Sequence, residues 1–151
     1  MYKHILIPTD GSTTAEKAVK AGLNFAKWAK ARVTVFTAMP EYQLPTTADV
    51  AAHRVMPIAE FERRSMAEAK KRLDKVARRA KAAGVKVDTA ASLSDRPGEA
   101  IIAAAEKNSC DLIFIGSHGR KGLPAPACRS TYFRATSAAT STCCRSTGST
   151  S

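Results

Sequence analysis

The sequence predicts an α/β domain built on an open parallel sheet with helices on both faces. Short runs rich in apolar and branched residues, at 4–9, 32–39, 85–91 and 112–115, alternate with longer segments of helical period. That alternation calls for right-handed crossovers between parallel strands, with helices covering both sides of the sheet. A chain of 151 residues accommodates one such core, because a domain of that length buries roughly two thirds of its unfolded surface.

The first strand, residues 4–9, runs into Pro8-Thr9-Asp10-Gly11-Ser12, where proline and glycine mark a turn. Thr13 with Glu16 three residues later has the form of a capping box, and Ala15, Ala18, Val19, Gly22, Ala26 and Ala29 repeat at helical spacing behind it. Residues 32–39 form a second strand, closed by Pro40. The stretch 41–57 has no period and is expected to be a mobile excursion. From 58 to 83 a helical stripe of Phe61, Ala69, Leu73, Val76, Ala80 and Ala83 returns, with Gly84 as its stop. Residues 85–91 make the third strand. Asp95-Arg96-Pro97-Gly98-Glu99 introduces a helix from Ala100 to about Asn108, which turns Ile101, Ile102 and Ala105 to the sheet. Residues 112–115 are the fourth strand.

The composition narrows the functional classes. No run of eighteen apolar residues is present, and the N-terminal apolar stretch is too short for a signal peptide, so a soluble cytoplasmic protein with no membrane partner is expected. The formal net charge of +11 invites a nucleic-acid partner. Its distribution argues against one. Arg63, Arg64, Lys70, Lys71 and Arg72 interleave with Glu60, Glu62, Glu68 and Asp74, as on a solvated helix face, whereas Lys121, Arg129, Arg134 and Arg145 simply lack acidic neighbours in the tail. Cys110, Cys128, Cys143 and Cys144 have neither zinc-ligand spacing nor the layout of a disulfide framework.

After Pro124 the chain contains no Leu, Ile or Val, and Ser and Thr dominate to Ser151. Such a segment cannot offset an ordering cost of roughly 1–2 kcal/mol per residue. The expected organisation is therefore a folded domain over 1–123 and an irregular tail over 124–151. The abrupt change at Leu123, with no linker, has the signature of a frameshift; an apolar strand encoded in an alternative reading frame after codon 122 is the expectation that goes with it.

The chemistry is expected where two loops meet at the C-terminal edge of the sheet, after the first strand (Pro8, Thr9, Asp10, Gly11, Ser12) and after the fourth (Gly116 to Gly122). Gly116 and Gly119 can bring backbone amides close to phosphate oxygens, Arg120 and Lys121 add neutralising charge, and His118 adds a donor. Asp10 suits either the cap of the first helix or the hydroxyls of a ribose. The glycines equally suit ordinary turns, and His118 an ordinary surface position.

Residues 5–12, 97–105 and 111–122 together resemble the universal stress protein family, in its opening strand and Asp-Gly-Ser turn, its Pro-Gly helix start, and its Asp-Leu-Ile strand followed by Gly-Ser-His-Gly-Arg. The resemblance runs over about residues 1–123. It implies a five-stranded parallel sheet in the order 3-2-1-4-5, and many members bind ATP. It further implies adenosine contacts at Pro8, Thr9 and Asp10, at the backbone near Ala38, and at Ile115 and Gly116. The implied phosphate pattern is Gly, two residues, Gly, nine residues, then Gly followed by Ser or Thr. Here Gly116 and Gly119 keep its first half, while Arg129 replaces the third glycine and Ser130 keeps the last position.

The family also closes with a fifth strand that often pairs two subunits. Without an equivalent, the order stops at 3-2-1-4, the fourth strand is expected to be a bare edge, and a homodimer would be perturbed. The function implied is an adenine-nucleotide-binding stress-response protein, with ATP and Mg²⁺ as ligands and a weakened phosphate site. The alternative is a stress protein that works through protein contacts without nucleotide. Slow ATP hydrolysis is the most enzymatic reading, and no base for it is identifiable.

Overall fold

The computed structural model describes residues 2–52, 55–116, 131–133 and 143–144. Its elements run β1 (His4–Pro8), α1 (Thr13–Ala29), β2 (Arg32–Met39), α2 (Thr47–Ala51), α3 (Ile58–Ala82), β3 (Val87–Leu93), α4 (Pro97–Lys107), β4 (Leu112–Ile115), β5 (Thr131–Phe133) and β6 (Cys143–Cys144). The strands form one sheet in the order β3-β2-β1-β4-β5-β6. The four strands β3, β2, β1 and β4 are parallel, as the sequence predicts.

Strand period explains why β1 is buried along its whole length. Ile5 and Ile7 enter a core with Val19, Leu23 and Ala26 of α1 and Leu73, Val76 and Ala80 of α3, joined by Val33, Val35, Leu112 and Phe114. Leu6, one position out of phase, joins Phe36 and Ile113 in a second core under Ala104 and Ala105 of α4. Successive side chains of one central strand thus serve two helical layers, which is why β1 reads as a continuous apolar run rather than an alternating one.

Several local expectations are corrected. The cap of α1 is Ser12, whose hydroxyl accepts from the Ala15 N–H, and not a Thr13–Glu16 box. The Glu16 carboxylate instead reaches across to Lys75 and Arg79 of α3. The stretch after β2 holds α2, started by a capping box between Thr46 and Asp49. That stretch is also tied down: Asp95 accepts from the Glu41 N–H at 2.9 Å and from Gln43 Nε2 at 2.7 Å, and the Tyr42 hydroxyl donates to the Met56 carbonyl. No hydrophobic period marks it because these anchors are polar.

The third strand begins two residues later than expected. Val85 N–H still closes the end of α3 by donating to the Ala80 carbonyl, so pairing with β2 starts at Val87. Helix α4 begins at Pro97 rather than Ala100, with proline in the first turn, where its missing N–H costs nothing. Its buried side is Ala104 and Ala105, with Ile101 half-buried, and Ile102 is 55% exposed instead of facing the sheet.

The largest correction concerns the sheet edge. Ile113, Phe114 and Ile115 of β4 pair antiparallel with Phe133, Tyr132 and Thr131 of β5, and β5 pairs in turn with β6. Thus β4 is not a bare edge, and the fifth position is filled antiparallel rather than parallel. The unpaired donors and acceptors of an apolar edge strand are a strong template. Thr-Tyr-Phe is a run of good strand formers in a tail otherwise rich in Ser, Thr and Ala.

Polar groups gather at the opposite, N-terminal end of the strands. His4 is buried, with Nε2 2.8 Å from Thr34 Oγ1. Burial, and then the Arg32 charge, push its pKa below the usual imidazole value of 6.5, against the smaller pull of the Asn108 backbone, Asp88 and Asp111. A depressed folded-state pKa means that the unfolded chain binds the extra proton first. The stability that the neutral imidazole provides is complete above about pH 6.5 and is lost as the pH falls through the folded-state value. We expect urea midpoints to drop between pH 6.5 and 5, and His4→Gln to flatten that drop; an equal slope in both proteins would refute the assignment. Nearby, burial pushes the Cys110 thiol up to about 11, so it stays protonated and poorly nucleophilic at neutral pH.

Candidate functional site

In the order β3-β2-β1-β4, the crossover from β1 leads one way and the crossover into β4 leads the other, so the order reverses between β1 and β4. Loops leaving two adjacent strands in opposite directions open a crevice at their C-terminal ends. The register Leu6 to Ile113 sets Pro8 level with Ile115, and the register Pro8 to Phe36 sets Ala38 two residues further along β2. Pro8, Ala38, Ile115 and Gly116 are therefore brought to one edge. His118, Gly119, Arg120 and Ser130 lie outside the described residues.

The loop after β1 is held by its own polar groups. Thr9 is buried, its N–H donating to the Phe36 carbonyl at 2.8 Å and its hydroxyl accepting from the Gly11 N–H. Gly11 has φ +78°, in the left-handed region that glycine enters without strain. Asp10 is exposed, and its Oδ1 accepts from the Ser12 N–H at 2.9 Å, forming an Asx turn. The carboxylate also hydrogen-bonds the Ser12 side chain. Asp10 therefore does not cap α1; its carboxylate stiffens the turn and stays exposed.

Hydrogen bonding to Ser12 holds the Asp10 carboxyl below its ordinary value, partial burial opposes this, and the Arg72 charge reinforces it. The group is a carboxylate at neutral pH, an acceptor only. That suits a pair of vicinal hydroxyls and repels a phosphate.

Gly116 has a packing role. A Cβ there would stand 2.9 Å from the Ala18 Cβ and 3.5 Å from the Thr14 carbonyl, so only glycine lets β4 exit against the first turns of α1. One residue at this edge was hidden in the sequence. Arg72 of α3 reads as part of a solvated basic run, yet its Nη1 donates to the Asp10 carbonyl at 3.1 Å. The signal was its spacing: Ala69, Arg72 and Val76 follow each other at the three- and four-residue steps of the buried stripe, and Lys70 and Lys71 do not.

The model of the universal stress protein family matches residues 1–129. The chain belongs to that family. It is 36% identical over 126 residues to universal stress protein MJ0531 of Methanocaldococcus jannaschii, spanning 82% of this chain and 69% of that one. In fold, it is similar to a universal stress protein family member from Burkholderia pseudomallei, with TM-score 0.65 and 24% identity over 78% of this chain and 83% of the other. It is also similar to the Archaeoglobus fulgidus universal stress protein in complex with dAMP, with TM-score 0.54 and 19% identity over 76% and 81% of the two chains. Other structures of this fold are a universal stress protein in complex with cAMP and an Arabidopsis thaliana family member with AMP bound. The parallel order implied for universal stress proteins is thus present through β4, and the departure begins at β5.

Proposed function

We propose that this universal stress protein binds an adenine nucleotide, ATP with Mg²⁺, in the crevice where β1 and β4 diverge. The observation that carries the reading is Asp10: an exposed carboxylate at the switch point, held in place by its own turn. That carboxylate fits the hydroxyls of a ribose. In this reading Pro8, Thr9, Asp10, Ala38, Ile115 and Gly116 hold the adenosine, and His118, Gly119, Arg120 and Ser130 hold the phosphates. Relatives bound to cAMP, AMP and dAMP support the ligand class.

The proposed role is that of a cytoplasmic stress-response binder, working as a homodimer from a domain over 1–123, rather than a dedicated enzyme. Calorimetric titration with ATP and Mg²⁺ tests it. Saturable binding is expected, and Asp10→Ala should weaken it at least tenfold, since hydrogen bonds to a charged group contribute about 1.5–3 kcal/mol. Gly119→Ala should weaken it as well. No heat at millimolar ATP would remove the nucleotide reading and leave function through protein contacts.

A further inference from the structure

We infer that Arg72 is a positioning residue of this site, tying the loop after β1 to the end of β2 so that the adenosine-binding edge is set before ligand arrives. The inference rests on the nucleotide reading for its ligand, but the geometry behind it is independent. Arg72 leaves α3 and is about one third exposed, at 31%. Its Nη1 donates to the Asp10 carbonyl at 3.1 Å and lies 3.8 Å from Met39 Sδ, the last residue of β2. Its Cδ and Nε lie 3.6 Å from where a Cβ on Gly11 would be, so the stem rests against the turn itself. Its Nη2 is paired with Glu68 one helical turn earlier, which fixes the guanidinium from behind.

A planar fork with five donors suits this task, because one rigid group can serve a carbonyl, a carboxylate and a sulfur in fixed relative positions. A lysine would offer one compact charge on a flexible stem. The contacts are to the backbone of the binding loop and not to its carboxylate. Arg72 therefore acts on where Asp10 sits, and the Asp10 carboxylate remains the group that meets the ligand. Pre-set loops bind more tightly because ordering them costs nothing at the moment of association.

The test compares wild type, Arg72→Ala and Arg72→Lys for adenosine, AMP and ATP–Mg²⁺ by calorimetry, with amide hydrogen exchange at Gly11 and Ser12 read by NMR. Arg64→Ala, an exposed arginine on the same helix, is the control. A positioning role gives Arg72→Ala a five- to tenfold loss of the same size for all three ligands, partial recovery in Arg72→Lys, and at least tenfold faster exchange at Gly11 and Ser12 while the thermal midpoint stays near that of Arg64→Ala. A loss that grows with the number of phosphates would overturn it, by making Arg72 a phosphate ligand. Unchanged affinity and unchanged exchange would overturn it too. If wild type binds none of the three, the nucleotide reading fails, and the exchange rates alone still decide whether Arg72 sets the loop.

Discussion

Gly22→Val is expected to destabilise the protein by about 3 kcal/mol, read as a lowered urea midpoint at unchanged slope. Gly22 lies buried in the middle of α1, and a Cβ placed on it would stand 2.7 Å from Ile7 Cδ1 and 3.1 Å from Phe114 Cδ1. Two effects oppose each other. Replacing a mid-helix glycine by alanine favours the helix by about 1 kcal/mol, whereas forcing extra carbon into a packed core costs about 1–3 kcal/mol. For alanine the difference runs from about zero to a net loss of about 2 kcal/mol; for valine, two further methyl carbons and a β-branch leave the clash dominant.

A second substitution separates these terms. Ile7→Val removes the carbon that stands closest, so Gly22→Ala made together with Ile7→Val should be neutral or stabilising relative to Ile7→Val alone, a coupling of about 1 kcal/mol between adjacent residues. Additive effects of the two changes would show that α1 has room over β1, and that the close approach is not what glycine provides.

Asp111→Ala is expected to cost about 2 kcal/mol, the range for hydrogen bonds to a charged acceptor. The carboxylate of Asp111 accepts from the Lys3 N–H at 2.7 Å and the His4 N–H at 3.1 Å, and its own N–H donates to the His4 carbonyl at 2.9 Å. Residues 3 and 4 precede the point where β4 begins to pair with β1, so without this side chain their donors would have only solvent. Asp111→Asn should recover about half of the loss, because one amide oxygen still accepts while the NH₂ faces a second donor. Chemical denaturation of the three proteins at pH 7 decides it; an alanine variant as stable as wild type would mean that water replaces the carboxylate without cost.

The sequence made the framework legible because the framework rests on local signals. Pro40 ends β2 at Met39, the alternation of Ile5, Leu6 and Ile7 between two layers gives an unbroken apolar run, and Gly84 stops α3 close to its observed end. Features that depend on partners distant in the chain were not legible. Asp95 looks like part of a helix start, yet it clamps Glu41 and Gln43 more than fifty residues away. The sequence reading puts both Ile101 and Ile102 on the sheet, but adjacent helix residues cannot share a face, and with Ala104 and Ala105 buried it is Ile101 that packs and Ile102 that is exposed.

The same division applies to the site. Of the candidate residues, Pro8, Asp10 and Gly116 stand out as a turn beside an apolar strand, and their meeting at one edge follows from topology. The arm of Arg72 behind Asp10 comes from a contact 62 residues away that no spacing within the first loop encodes. The pairing of Thr131 to Phe133 with β4 was missed for a related reason: three residues in a polar tail form a strand only because an unpaired edge is waiting for them.

Polar residues mark both ends of β1. His4, Thr34, Asp111 and Cys110 lie where the strands begin, and Thr9, Asp10 and Gly116 lie where they finish, some 13 Å further on at roughly 3.3 Å per residue along β1. Along β1 itself only apolar side chains fill the interval. If the proposed site holds, acid tolerance and ligand preference rest on different residues on opposite rims, and an evolving lineage can change one without disturbing the other.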